Sequence, residues 1–378
     1  MKLKDLFNQQ SVATLAEAFQ CVYAAFERQA FTARVFDSEW EARELKERMR
    51  HITIVMHDYL PRDYRAALRV LHQALPLVEE QGLAKMVFPD YVELYGLDDW
   101  EASIAALETF TQHISAEFAI RPFIVRQQTR TMAQMLAWAK HHSPEVRRLA
   151  SEGCRPRLPW GIRLPALQAD PSSILPILAQ LRHDESEAVR RSVANNLNDI
   201  SKDHPQVVLG LLQRWQGEDV DAGREESRWI TRHALRTLLK KGNPDALELL
   251  GYSSQPAVTV RNVAVTPKSV EMGGEVTLSF EIVSLSHEPQ KLMIDYVVHH
   301  VRARGQRTPM VFKLTKRTLK PGEALLITKR HSFAPVTTRR YYPGEHAIEP
   351  KINGQLFGQV QFVLGSGIES RARATDIR

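Results

Sequence analysis

Apolar residues along the first 251 positions recur three and four apart, the spacing that lines one face of a helix. The pattern predicts helices over 40–60, 63–81, 100–114, 129–142, 173–184, 205–217 and 228–242. Their joints carry helix punctuation. Ser143-Pro144 and Asn243-Pro244 each put a capping side chain before a proline at the first helical position. Gly153 and Gly242 stand where helices should end. From about residue 252 the period shortens to two. "AVTVRNVAVTP", "GEVTLSFEIVSL", "KLMIDYVVHHV", "MVFKLTKRTL", "EALLITKRHSF", "GEHAIEPKING" and "GQVQFVL" predict short strands, parted by the turn sequences "EMGG", "KPGE", "YYPGE" and "NGQ".

The helical part repeats itself. "SPEVRRLASEG" from Ser143 returns as "SEAVRRSVANN" from Ser186 and, more loosely, as "RWITRHALRTL" from Arg228. The offsets of 43 and 41 residues match helical pairs of the HEAT type, which run to about 40–47 residues. Val146, Val189 and Ile230 correspond, as do Arg148, Arg191 and Arg232. An arginine at that place either links neighbouring helices or sets a row of cations along the concave face of a solenoid. The strands that follow fit an immunoglobulin-like sandwich. The fold class is therefore multidomain: an all-α HEAT-like repeat solenoid over 1–251, an all-β immunoglobulin-like sandwich over 256–366, and a polar tail over 367–378.

Composition narrows the class. Hydrophobic residues make up 43% and charged residues 25% of the chain, a globular balance that argues against a disordered or fibrous protein. No stretch reads as a membrane span, and "MKLKDLFNQQSVATLAEAF" lacks the apolar core of a secretory signal. A cytoplasmic protein with no membrane partner is expected, with Cys21 and Cys154 reduced. The histidine pairs at 141–142 and 299–300 have no CxxC or HExxH partners, so no metal is expected. Charge adds more. From residue 256 onward 18 Lys and Arg face 10 Asp and Glu, a net +8 that exceeds the +6 of the whole chain. A basic domain beside a near-neutral one points to a polyanion such as nucleic acid.

Three polar stretches interrupt well-patterned helices. In "VRRSVANNLNDISKDHP" (189–205) the stripe of Ser192, Asn195, Asn196 and Asp199 uses poor helix formers where Lys, Glu or Gln would serve a solvent face. In "SAEFAIRPFI" (115–124) Glu117 sits near a helix end marked by Pro122. In "SEGCRPRLPWG" (151–161) Glu152 ends a helix, and a stiff Pro156/Pro159 segment delivers Arg155, Arg157 and Trp160. Carboxylates repel phosphate, so they suit a cationic target inside a basic-tailed solenoid. Adenine alkylated at N3 is such a cation, and its loss leaves an oxocarbenium-like charge on the deoxyribose. A preorganised carboxylate lowers that barrier and can direct the attacking water. An aromatic face such as Trp160 holds a cation, and asparagines beside Asp199 would orient it. Glu117 and Glu152 read equally as surface or helix-end residues, Trp160 equally as core, and Asp203 as a cap beside Pro205.

"LKDLFN" (3–8), "ELKERMRHI" (44–52), "EFAIRPFI" (117–124), "SEGCRPRLPW" (151–160) and "RRSVANNLNDISKDHP" (190–205) resemble the AlkC-type DNA alkylation repair glycosylases, relatives of the AlkD-type HEAT-like glycosylases. The β-domain resembles a module carried by one branch of that family. The resemblance implies a monofunctional, cofactor-free glycosylase that removes alkylated bases, notably 3-methyladenine, bending the duplex and reaching the sugar without base flipping. It places the acids on Glu117, Glu152 and Asp199, the aromatic on Trp160, and a DNA-contacting or site-supporting arginine on Arg148. The expected roles follow. Asp199 and Glu117 stabilise the sugar cation and position water, while Glu152 and Trp160, with Arg148, Asn195 and Asn196, shape the pocket. Arg155, Arg157, Arg191 and Arg232 on the helices, and Arg302, Arg304, Arg307, Lys316, Arg317, Arg339 and Arg340 on the β-domain, meet phosphates. The partner is double-stranded DNA containing alkylated bases, bound by a monomer that joins the bacterial nucleoid during repair. The competing readings are a non-catalytic DNA-structure binder and a HEAT protein–protein scaffold.

Overall fold

The computed structural model describes residues 2–219, 225–336 and 339–366. The tail expected over 367–378 lies outside the described residues. The chain divides into two compact units, one holding Met1–Val208 and Arg214–Ala234, the other Leu209–Gln213 and the chain from Leu235 onward. Among the described residues no helix is long and apolar enough to cross a membrane.

The first unit is helical: α1 (Gln9–Val22), α2 (Arg28–Val35), α3 (Leu45–Tyr59), α4 (Tyr64–Ala74), α5 (Val87–Tyr95), α6 (Trp100–Thr111), α7 (Ile120–Arg126), α8 (Gln128–Trp138), α9 (Pro144–Glu152), α10 (Pro165–Ala169), α11 (Leu175–Leu181), α12 (Glu187–Ile200), part of α13 (Pro205–Glu218), and α14 (Glu225–Ala234). Prolines explain where helices depart from the sequence pattern. The helix expected over 63–81 stops at Ala74, because Pro76 diverts the chain into a 3-10 stretch, Leu75–Met86. Pro122 does the opposite and stands in the first turn of α7, where its missing N–H has no intrahelical partner to lose. Glu117 therefore precedes a helix rather than ending one.

The three sequence repeats are α9, α12 and α14, with α12 packed against both others. Val146, Leu149, Val189, Val193, Leu197 and Ile230 are buried between them. The choice posed by the repeated arginines divides between neighbours. Arg147 binds Asp184 through Nε (2.6 Å) and the carbonyls of His141 and His142 (3.0 and 2.7 Å). Arg190 binds the carbonyls of Asp184 and Glu185 (2.7 and 2.8 Å). Arg147 thus links one helical pair to the next, and Arg190 ties down the turn before its own helix. Arg148, Arg191 and Arg232, one or two places further along, are left for other work.

The second unit contains α15 (Arg236–Lys241), α16 (Pro244–Glu248) and strands β1 (Val258–Thr266), β2 (Ser269–Val270), β3 (Glu275–Ser284), β4 (Gln290–Val301), β5 (Arg307–Leu319), β6 (Ala324–Ser332), β7 (Gly344–Ile352), β8 (Gln355–Leu356) and β9 (Val360–Leu364). One sheet runs β1-β3-β6; the other runs β2-β9-β7-β4-β5 with β8 beside β7. Pairing is antiparallel except for β2 with β9. Phe280 and Ile282 of the first sheet meet Ile294, Tyr296, Ile348 and Phe362 of the second in the core. β3 alternates as a one-sided strand does, whereas β4 is buried almost throughout. The end of β7 meets the end of α15 and the segment after α16. Lys351 Nζ donates to Lys240 O (2.9 Å) and Asn353 Nδ2 to Ser253 O (2.9 Å). Gly242 (φ +79°) and Gly354 (φ +85°) touch backbone to backbone, so a Cβ on the first would lie 2.8 Å from the Cα of the second.

Candidate active site

The site grows from an interface between two repeats. Ser192, Asn196 and Asp199 fall on one side of α12 at four- and three-residue steps. That side is pressed against the end of α9, not bathed in solvent: Ser192, Asn196 and Asp199 are 2%, 0% and 1% exposed. Polar side chains are needed here because they satisfy the backbone freed where α9 ends. Asn196 Nδ2 donates to Ser151 O (2.8 Å) and Cys154 Sγ (3.5 Å). Asn195 reaches the other way, its Oδ1 lying 3.0 Å from His233 Nε2 on α14.

The segment after α9 is pinned from behind by Arg121, which sequence reading passed over. Its guanidinium is fully buried. It donates to Gly153 O (2.9 Å), Arg155 O (2.8 Å) and, through Nε, Ile162 O (2.7 Å). Burial lowers its pKa to about 10, which still leaves it charged at neutral pH. Gly161 leaves room for this clasp, since a Cβ there would fall 3.1 Å from Arg121 Nε, and Gly153 lets the segment pack on Ile120, whose Cγ2 would lie 2.6 Å from a Cβ. An arginine inside the apolar run "FAIRPFI" is the signal that would have found it.

Clasped in this way, the segment turns Arg155 inward. Its Nε donates to Asp199 Oδ2 (2.9 Å) and its Nη1 to Glu152 Oε1 (2.5 Å). Ser192 Oγ donates to the other Glu152 oxygen (2.6 Å). Lys202 Nζ donates to the other Asp199 oxygen (2.9 Å). Desolvation opposes the charge on Arg155, but the carboxylates of Glu152 and Asp199 outweigh it and raise its pKa. Two expectations are corrected here. Arg155 is not a phosphate contact, because it is 7% exposed and its charge is engaged by two acids. The orienting role expected of the asparagines falls to Arg155 and Lys202, which hold the two Asp199 oxygens.

Glu117 lies on a second small network. Ser115 Oγ donates to Glu117 Oε2 (2.9 Å), and Arg148 donates to both, at 2.8 Å to Ser115 and 2.7 Å to Glu117. Lys46 joins this turn to the Trp160 segment, with Nζ 4.5 Å from the Phe118 ring centre and 2.9 Å from Trp160 O. The Trp160 ring is not core. The residue is 67% exposed and adopts φ +63°, a conformation that costs a non-glycine residue about 1–3 kcal/mol. Arg157 forms a two-pronged ion pair with Asp203 (2.7 and 3.0 Å). The expected acidic hollow is thus balanced: Glu152 and Asp199 by Arg155 and Lys202, Glu117 by Arg148. Cys154 is sealed in, and burial pushes its thiol up to about 12, so it is no nucleophile.

The remaining cations are spread more loosely. Arg191 pairs with Glu187 on its own helix, and Arg232 is exposed on α14. In the β unit Arg302, Arg304 and Arg307 stand on or beside the exposed β4–β5 hairpin tip, where Arg307 pairs with Glu345. Lys316 and Arg317 are exposed on β5. Arg339 and Arg340 lie 5.6 and 5.4 Å from the ring centres of Tyr341 and Tyr342, respectively.

A family model described as "DNA alkylation repair enzyme" matches residues 43–238, which include every helical residue of this site. The chain belongs to that family. A second model, described as "Uncharacterised protein YhaZ, C-terminal Ig-like domain", matches 259–366 of this repair enzyme. The Bacillus subtilis (strain 168) protein described as "Uncharacterized protein YhaZ" is 42% identical over 360 residues, 95% of this chain and 98% of that one. Among solved structures, the Pseudomonas fluorescens alkylpurine DNA glycosylase AlkC, bound to DNA containing an abasic site analog, is 39% identical, with a TM-score of 0.91 over 97% of this chain and 100% of that one.

Proposed function

We propose that this repair enzyme is a monofunctional DNA glycosylase that acts as a monomer on duplex DNA and releases cationic N3-alkylated bases, 3-methyladenine above all, with 3-methylcytosine in the same class. Likeness to an alkylpurine glycosylase supports the substrate class. The observation that carries the mechanism is the pair of buried carboxylates, Glu152 and Asp199, held by one guanidinium at 2.5 and 2.9 Å. As the C1′–N bond opens, its electron pair goes to the base and cancels the charge that alkylation created. Positive charge then grows on the sugar. Asp199 and Glu117 face that charge and draw the attacking water, whose oxygen joins C1′ and whose proton passes to a carboxylate. Exposed Trp160 offers a π face to the cationic base, with Glu152 and Arg148 fixing the walls. Cations of the β unit, Arg302, Arg304, Lys316 and Arg317 among them, would grip phosphates and make it a clamp.

Chromatography of bases released from methylated duplex DNA tests the proposal. The wild-type chain should liberate 3-methyladenine, and Asp199→Asn should slow release by about 10²–10³, as loss of one preorganised charge does, while DNA binding persists. An Asp199→Asn variant that turns over normally would remove Asp199 from the chemistry.

A further inference from the structure

Asp199 is 1% exposed, yet both of its oxygens are occupied by cations of different standing. Arg155 approaches from inside, is itself 7% exposed, and has its second nitrogen locked on Glu152 and its carbonyl on Arg121. Lys202 stands on the turn that follows α12, and its side chain is 35% exposed. Among the described residues its ammonium has one polar partner, Asp199 Oδ1 at 2.9 Å. Of the two cations, only Lys202 is free to swing away without dismantling the site. A positive charge that reaches Asp199 from solvent must come to the oxygen that Lys202 holds.

We infer that Lys202 is a positioning residue that keeps the substrate's place: in the DNA-free enzyme its ammonium fills the outer lobe of Asp199, and the sugar cation displaces it as the glycosidic bond opens. This rests on the glycosylase reading and adds selectivity to it. No covalent bond to Lys202 is made or broken; one cation is exchanged for another. Removing an ammonium from a carboxylate is a loss that only an incoming cation makes good. An alkylated nucleotide whose leaving base is already charged develops that cation readily. An undamaged nucleotide brings nothing to offset the lost pair, so Lys202 raises the threshold against intact DNA. The i,i+3 spacing of Asp199 and Lys202 keeps the ammonium within reach when the site is empty.

The test compares full-length wild type, Lys202→Met and Lys202→Arg on two duplexes. One carries a pyrrolidine abasic analogue, protonated and so a cation at the sugar; the other carries neutral tetrahydrofuran. Lys202→Met should bind the pyrrolidine duplex roughly fivefold more tightly than wild type does, the equivalent of about 1 kcal/mol for an ion pair with one solvent-facing partner. Affinity for the tetrahydrofuran duplex should stay put, and Lys202→Arg should restore the wild-type ratio. In single-turnover release of 3-methyladenine, Lys202→Met should raise the maximal rate and leave the half-saturating concentration unchanged, because the sugar becomes a cation only as the bond opens. Equal weakening on both duplexes would make Lys202 a phosphate contact, and no change on either would make it a plain surface pair; both overturn the inference. A wild-type enzyme that releases no methylated base would defeat the glycosylase reading separately, because the binding ratio needs no catalysis.

Discussion

Arg155 serves two acids, and its loss should show how much the site depends on it. Arg155→Met would leave Glu152 and Asp199 buried without their shared cation, and removing one partner of a buried pair costs about 3–5 kcal/mol. All six tryptophans, Trp40 to Trp229, lie in the helical part of the chain, so the fluorescence melt reports that part alone. Its midpoint should fall by roughly 6–20 °C. Arg157→Met is the comparison: its pair with Asp203 is about a quarter to a third exposed, and such pairs contribute under about 1 kcal/mol. Equal drops for both variants would mean that Arg155 is an ordinary ion-pair residue. At this scale the acids were legible, because Asp199 stands among asparagines that weaken a helix for no local benefit. Arg155 was legible as a charge but not as a direction: a basic, proline-rich segment looks like surface until the clasp of Arg121 turns it inward.

At the scale of elements, period-two alternation located the long strands, while β2 and β8, two residues each, are too short to alternate. β4 shows why alternation alone misleads. "VVHHV" ends a strand covered on both faces, and its second histidine enters the core. His300, His331 and His346 are all buried, with Phe333 at 6.1, 5.0 and 5.7 Å from their ring centres, respectively. Neither nitrogen of His300 has a hydrogen-bond partner among the described residues. Burial foremost, then nearby positive charge from Arg339 and neighbouring groups, lowers His300 to about 3 and His331 to about 4, and burial lowers His346 as well. The sign follows from linkage. Below pH 6.5 an unfolded chain takes up protons that the folded core refuses, so stability present at neutral pH drains away as pH falls toward 4. The loss is on the order of 3 kcal/mol each for His300 and His331 by pH 4. The protection factors of β4 and β7 amides should therefore fall on acidification, and His300→Phe should flatten that dependence. An identical pH profile in the variant would show that surface carboxylates, not this cluster, govern acid lability.

For the whole molecule, the change of period near residue 252 separated helix from strand, and the excess of positive charge marked the β half. Periodicity reads 228–242 as one helix, whereas the chain breaks at Leu235 between α14 and α15, and it does not show which core each piece joins, because an apolar stripe does not name its partner. That depends on a close approach that only two facing glycines, Gly242 and Gly354, allow. The same limit applied to the acids, whose neutralisation by Arg148, Arg155 and Lys202 depends on contacts 31 and 44 positions apart as well as local ones.

The contact of the α15 turn and the segment after α16 with the end of β7 sets where the gene can be divided. A fragment begun at residue 256, the point suggested by composition, would take Lys240, Gly242 and Ser253 away from Lys351, Gly354 and Asn353 and leave the end of β7 uncovered to its neighbours in the test tube. A fragment begun at 209 would keep those partners together with Leu209–Gln213, which belong to the same unit. Expressed side by side, the longer piece should elute from a sizing column as a soluble monomer and the shorter one should aggregate; the reverse would mean that the two helices are ornament.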